Sequence, residues 1–327
     1  MPPRVSVILN CYNQGEYVAE AVDSVLNQTF RDFELLIVDN GSKDGTPQLL
    51  QKYSSDPRVR LFLHKENVAI SRRFNEAMDA TRGEFISFLY SDDYYLPHKL
   101  ERQVALFDGL PADVGVVYGP SLVKNEVNGE QWEAHSIRYS GMIFTNLCLH
   151  LHQGPPNMIA PMTRRACLLE NRFYEDVFAE GEAVFFRIAL DHKFHFDPEP
   201  LSVARDHLRN AGKAIKVNAE IFFTCLNRID ERTNIPKEYH SAIRIVESRK
   251  LRDVGWSSAR LNVELPWGRK CLWRAVKMRP VGIFHPKIAL GLLLTLLPES
   301  LRAAVNRVAN RVKHTRGNVV YVAGYDQ

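Results

Sequence analysis

The alternation of apolar runs and helical segments over the first ninety residues leaves few folds open to this chain. Residues 5–9, 34–38, 58–63 and 85–89 are short runs rich in Val, Ile, Leu and Phe, of strand length. Between them, residues 16–26 place Val18, Ala21, Val22, Val25 and Leu26 on one helical face, and residues 46–53 and 70–80 read as further helices. Strand, helix, strand in this order means βαβ units. The expected class is α/β, with a mostly parallel central sheet and helices on both faces. In such sheets, ligands bind beyond the carboxyl ends of the strands.

Those ends carry chemistry. The first strand runs into Asn10-Cys11-Tyr12-Asn13, the second into Asp39-Asn40, and the fourth into Ser91-Asp92-Asp93. Together they offer a ring, a carboxylate able to accept a base N–H, and two adjacent carboxylates. Paired carboxylates at the end of a buried strand are costly without a positive partner. A divalent cation, Mg²⁺ or Mn²⁺, carrying a nucleotide diphosphate meets that need. An acidic turn leading into the helix near Pro97 is the other reading, because Asp is favoured in turns and at helix starts. No Gly-x-Gly-x-x-Gly or Walker loop is present, which argues against a standard dinucleotide site or a P-loop.

Three segments closely resemble the family 2 inverting glycosyltransferases: residues 5–13, residues 24–30, and residues 33–46 with Asp39-Asn40-Gly41-Ser42 at their centre. The match continues through Asn67 and Asn75 to the acidic pair and Pro97. It is strong over about the first 110 residues and looser to about 215. The resemblance implies a GT-A (Rossmann-like) fold and metal-assisted transfer from a nucleotide-sugar donor, UDP being the commonest base carrier. Tyr12 and Asp39 would hold the nucleobase, with Asn10 beside them in the donor site. Asp92 and Asp93 would hold the ribose and the metal-diphosphate. Tyr12 packing on a loop and Asp39 capping the Gly41-Ser42 turn are the structural alternatives. The chain departs from the family at Tyr90, where many relatives carry an acid and some manage with the shorter form, and at Phe74, where they often carry Arg. Arg72 or Arg73 would then reach the diphosphate, unless they are solvated helix charges.

Acceptor recognition and the catalytic base are expected after residue 115. Residues 114–118 read as a strand, and residues 153–157, with two prolines, form a loop that would shape the acceptor side or simply connect. Residues 178–187 resemble the family's acidic helix start, where one carboxylate takes the acceptor proton. Alignment puts Gly181 at the usual base position, flanked by Glu180 and Glu182. Glu182 is favoured, against the alternative of an ordinary acidic first turn. Arg205-Asp206-His207-Leu208-Arg209-Asn210 resembles a motif in which His207 would meet the diphosphate or metal, or be structural. Lys213 and Lys216 are further diphosphate candidates.

The expected division is a catalytic domain over 1–215, a helical basic region over 216–316, with helices at 220–232, 238–254 and 301–312, and a tail over 317–327. Net charge is only +4, yet Arg244 to Arg316 hold sixteen Lys and Arg against four Asp and Glu. Basic residues interleaved with Trp and Leu suit helices lying on an anionic membrane, or alternatively a helical subdomain or homo-oligomer contact. The aromatic residues cluster with aliphatic ones, unlike a stacking surface for nucleic acid. Five scattered cysteines and a strand directly after Arg4 point to reduced thiols, no signal peptide and a cytoplasmic protein, which the basic helices would hold peripherally on the inner face of a membrane. The expected activity is inverting sugar transfer to a hydroxyl of a glycan or lipid-linked acceptor. The alternative is a catalytically silent nucleotide-sugar-binding scaffold.

Overall fold

A computed structural model describes residues 1–207, 209–210, 214–302 and 304. Lys213, the tail and most of the last expected helix lie outside the described residues. The chain divides after Asp206 into two compact units.

The first unit opens with β1 (Val5–Cys11), α1 (Val18–Leu26), β2 (Phe33–Asp39), α2 (Thr46–Leu50), β3 (Val59–Leu63), α3 (Ile70–Ala80) and β4 (Phe85–Tyr90). It continues through β5 (Tyr94–Tyr95), α4 (Lys99–Gly109), β6 (Val114–Tyr118), β7 (Leu122–Asn125), β8 (Gln131–Glu133) and α5 (Phe144–His150). The last elements are β9 (Met162–Arg164), α6 (Arg165–Glu170), α7 (Val184–Asp191), β10 (Lys193–Phe196) and β11 (Ser202–Asp206). Seven strands form the central sheet in the order β10-β6-β9-β4-β1-β2-β3. β1 pairs in parallel with β2 and β4, and β2 with β3. β9 runs antiparallel between β4 and β6, a reversal the short Met-Thr-Arg stretch does not announce. A second, four-stranded sheet has the order β5-β11-β7-β8.

β1 and β2 are buried along their whole length, as parallel strands covered on both faces must be. Val5, Val7, Leu9 and Cys11 face Val18, Ala21, Val22 and Val25 of α1, with Phe33, Leu35 and Ile37 alongside. The opposite face holds one buried carboxylate. Glu34, 2% exposed, accepts from Ser6 Oγ at 2.7 Å, Arg82 N at 2.7 Å, Arg82 Nε at 2.9 Å and Arg60 Nη1 at 3.2 Å. Burial alone would raise its pKa, but the bonds from Ser6 and Arg82 outweigh it and hold the carboxyl below its ordinary value. A depressed folded pKa gives stability that is present above the unfolded value, about 4.3, and lost as pH falls through the folded one. Glu34→Gln should therefore cost about 1.5–3 kcal/mol at pH 7, with the gap to wild type narrowing as pH drops below 4. Urea melts of both proteins across pH 3–7 check this.

The second unit is helical: α8 (Ile215–Asp230), α9 (Lys237–Leu261), α10 (Leu265–Met278) and α11 (Pro286–Leu294). Both helices expected over 220–254 are present and longer than their periodicity suggests. Phe223, Leu251, Cys271, Leu272, Ala275 and Ile288 form its core.

Candidate active site

The carboxyl ends of β1 and β2 are laced together. Asp39 is 1% exposed and pairs in register with Cys11. Its Oδ1 accepts from Ser42 Oγ at 2.5 Å and its Oδ2 from Ser42 N at 3.1 Å, so Asp39 does cap the turn. A carboxylate has about four acceptor sites, so capping leaves capacity for a base N–H. Asn13, at φ +51°, donates its N–H to Ser42 Oγ at 2.8 Å and accepts from Lys43 N at 2.8 Å. Tyr12 lies half-buried in this loop. Gly41 sits at φ +81°, where a Cβ would lie 2.5 Å from the Glu66 carbonyl carbon, so only glycine fits between the two loops. Asn10 is buried, and its Oδ1 has no hydrogen-bond partner among the described residues. Such an acceptor is stabilised when a ligand donates to it.

The two candidate arginines of α3 differ. Arg73 is 7% exposed and donates from Nε to Asn40 Oδ1 at 2.8 Å, from Nη1 to Glu76 at 2.7 Å and from Nη2 to the Glu66 carbonyl at 2.9 Å. Asn40 in turn holds Asn67 and Val68. Arg73 thus braces the loop over 66–68. Arg72 is exposed and pairs with Glu76 at 3.1 Å. Asn75 binds the backbone of Phe173 through both its amide atoms.

The acidic pair follows β4. Asp92 is half-buried and Asp93 is 7% exposed. The small sheet brings β11 against them. Arg205 N donates to Asp93 Oδ1 at 2.9 Å, and Arg205 Nη1 donates to the Asp92 carbonyl at 2.7 Å. The same guanidinium pairs with Glu20 at 2.5 Å and Glu126 at 2.9 Å and stacks over Tyr94. Its charge is therefore shared among several acids. Burial pushes the Asp93 carboxyl well above its ordinary range, and the neighbouring Asp92 and Glu182 carboxylates add to that. A hard cation would relieve this crowding, so the donor set fits a divalent metal. Among the described residues no three ligating side chains converge. The ion would be held by the Asp pair and by substrate phosphate oxygens, as Mg²⁺ commonly is.

The structure separates the two glutamates. Glu180 is 3% exposed, forms a buried ion pair with Arg187, and accepts from Tyr174 N at 2.7 Å. Arg187 also donates to the Arg172 carbonyl at 2.6 Å and lies 4.0 Å from the Tyr174 ring centre. Gly181, at φ +54°, turns the chain between them. Glu182 is half-buried, accepts from Met158 N at 3.4 Å, and lies close enough to Asp93 to raise its pKa. The loop over 153–157 runs into Met158. A cavity of about 610 Å³, lined by Glu133, His135, Arg138, Tyr139 and Gln153, opens at its start. His207 begins the second unit; it is buried, and its Nδ1 accepts from Arg209 N at 3.2 Å. Lys216 pairs with Glu264 at 3.3 Å, within the helical unit.

Residues 6–166 match the family model described as Glycosyl transferase family 2. The chain carries a family 2 glycosyltransferase domain. Its fold is GT-A. The structure is similar to that of S. aureus TarS 1-349 in complex with UDP, with a TM-score of 0.65 over 97% of this chain and 94% of that one at 19% identity. It also resembles the mannosyltransferase PcManGT from Pyrobaculum calidifontis in complex with GDP-Man and Mn²⁺, with a TM-score of 0.59 over 95% of this chain and 88% of that one at 17% identity. An uncharacterized glycosyltransferase of Rickettsia felis is 29% identical over 67% of this chain, and the matched part spans 36% of that protein. The putative teichuronic acid biosynthesis glycosyltransferase TuaG of Bacillus subtilis is 39% identical over 31% of this chain and 41% of its own length.

Within the family 2 domain, the two departures from the usual pattern meet. The Tyr90 and Phe74 rings lie 6.1 Å apart, and Phe74 also packs on Phe88 and Phe173 at 4.7 and 5.2 Å. At the two positions where the resemblance implies an acid and an Arg, this chain has two rings in contact. Arg205, the first residue of the Arg-x-His pattern, meets Asp92 and Asp93 through contacts that only the small sheet creates.

Proposed function

We propose that this domain transfers a sugar from a nucleotide-sugar, with UDP the favoured carrier, to a hydroxyl of a glycan or lipid-linked acceptor, with inversion. The observation that carries the reading is that Glu180 is committed to Arg187 while Glu182 stays half-buried, with a charge that bears on Asp93. Asn10, Tyr12 and Asp39 bind the nucleoside. Asp92 and Asp93 hold the ribose and the metal-bearing diphosphate. A divalent cation, when bound, supplies Lewis-acid stabilisation of the leaving diphosphate. Glu182 accepts the acceptor's hydroxyl proton as that oxygen bonds to the anomeric carbon and the bond to the diphosphate oxygen breaks. TarS bound to UDP and PcManGT bound to GDP-Man with Mn²⁺ support a nucleotide-sugar donor on this fold.

The test is release of nucleotide diphosphate across UDP-, GDP- and dTDP-sugars with Mn²⁺ or Mg²⁺. Metal-dependent release with one donor class is expected, and Asp93→Ala should lower it roughly 100- to 1000-fold. Gly181 at the usual base position favours one other reading, a silent donor-binding scaffold. Donor binding without release, with a glycan or lipid-linked acceptor supplied, would establish that reading instead.

A further inference from the structure

The second unit has a surface that the donor site does not use. Between Glu264 and Glu299 the chain contains no Asp or Glu, and six Lys and Arg: Arg269, Lys270, Arg274, Lys277, Arg279 and Lys287. The exposed large apolar side chains of the described residues concentrate there. Trp273 is 48% exposed, Val281 81%, Phe284 83%, Leu290 51%, Leu293 53% and Leu296 72%.

Helix geometry explains the exposure. Ile288, Gly291 and Leu294 face inward from α11, and Gly291 sits so close to Leu272 that a Cβ would lie 2.9 Å from it. Leu290 and Leu293 therefore point away, so α11 is apolar on both sides. On α10, Cys271, Leu272 and Ala275 are buried, while Lys270, Trp273, Arg274 and Lys277 share the outer face. The 3₁₀ turn Pro280–Phe284 joins the two helices and presents Val281 and Phe284 at its surface. Among the described residues, Lys270, Lys277 and Arg279 have no carboxylate within ion-pair distance. Apolar side chains this exposed mark an interaction surface. The absence of acids and the unpaired cations select an anionic partner.

We propose that α10, the turn Pro280–Phe284 and α11 seat this unit on an anionic lipid bilayer. Val281, Phe284, Leu290 and Leu293 enter the acyl boundary, and Lys270, Lys277 and Arg279 meet lipid phosphates. No helix among the described residues is long and apolar enough to cross a membrane, and α11 has only nine residues, so this surface lies on the bilayer. The surface stands independently of the donor-site reading. If both hold, it delivers the transferase to a membrane-presented acceptor.

The test is co-sedimentation of the whole chain with phosphatidylglycerol-containing vesicles and with pure phosphatidylcholine vesicles, alongside UDP binding on the same samples. Wild type should bind the anionic vesicles, more weakly as salt rises. Val281→Glu/Phe284→Glu should weaken that binding at least tenfold. Lys270→Glu/Lys277→Glu/Arg279→Glu should weaken it roughly 100-fold. Neither variant should change UDP binding or the circular dichroism spectrum, because every substituted side chain is exposed. No binding of wild type to anionic vesicles overturns the proposal, as does binding that both variants retain. A self-association abolished by Val281→Glu/Phe284→Glu, without vesicle binding, would assign the face to a second copy and also overturn it. Loss of UDP binding in wild type would count against the donor site alone.

Discussion

Glu182→Gln is expected to lower turnover by roughly 100- to 10,000-fold while leaving affinity for the nucleotide diphosphate within a few fold. The amide keeps the size of the side chain and can still accept from Met158 N, so the local chain should be undisturbed. What is lost is the ability to take a proton as the acceptor oxygen attacks. Glu182 also adds to the negative potential that raises the Asp93 pKa. Removing that charge lowers the pKa of Asp93, so metal binding should not suffer. Initial rates with saturating donor, paired with calorimetric binding of the diphosphate and metal, separate the two effects. A variant that turns over like wild type would remove Glu182 from the chemistry and return Gly181 to the centre of the question.

Glu180→Gln is expected to destabilise the first unit by about 3–5 kcal/mol, the largest stability change of any single substitution considered. Its partner Arg187 is 1% exposed, and the neutral amide leaves that guanidinium charged and uncompensated in the interior. The backbone carbonyls of Asn171 and Arg172 and the Tyr174 ring still surround Arg187, but none carries a full negative charge. A loss of that size corresponds to a drop of roughly 10 °C in melting temperature. Differential scanning calorimetry of Glu180→Gln beside Glu182→Gln gives the decisive contrast. The first should melt early, and the second close to wild type. The reverse pattern would mean that the roles of the two glutamates are exchanged.

Much of the donor side was legible because its determinants are local. The apolar runs that make β1, β2 and β4 each end in the residues that line the site. Parallel pairing then brings Cys11 beside Asp39 and Asn10 beside Tyr90 without further instruction. The turn after Asp39 was equally readable, since Gly41 and Ser42 supply the positive φ and the capping hydroxyl. The roles of the arginines were not readable. Arg72 and Arg73 are neighbours in sequence, yet helix rotation puts one in solvent and the other under the loop over 66–68.

The acceptor side shows the opposite case. Glu180 and Glu182 are chemically alike and two residues apart, and no pattern distinguishes them. Their fates diverge at Gly181, whose positive φ separates a carboxylate buried against Arg187 from one that accepts from Met158 N. β9, only three residues long, inserts antiparallel between β4 and β6, and its pairing depends on partners far along the chain.

From the sequence by itself came the α/β order, the strand-end chemistry and the acidic pair, because hydrophobic period and turn residues act over a few neighbours. The tertiary structure alone decided that Glu180 is committed to Arg187 while Glu182 stays half-buried, and it alone set Arg205 against Asp93 and Phe74 against Tyr90. Each of those contacts joins residues brought together only by packing.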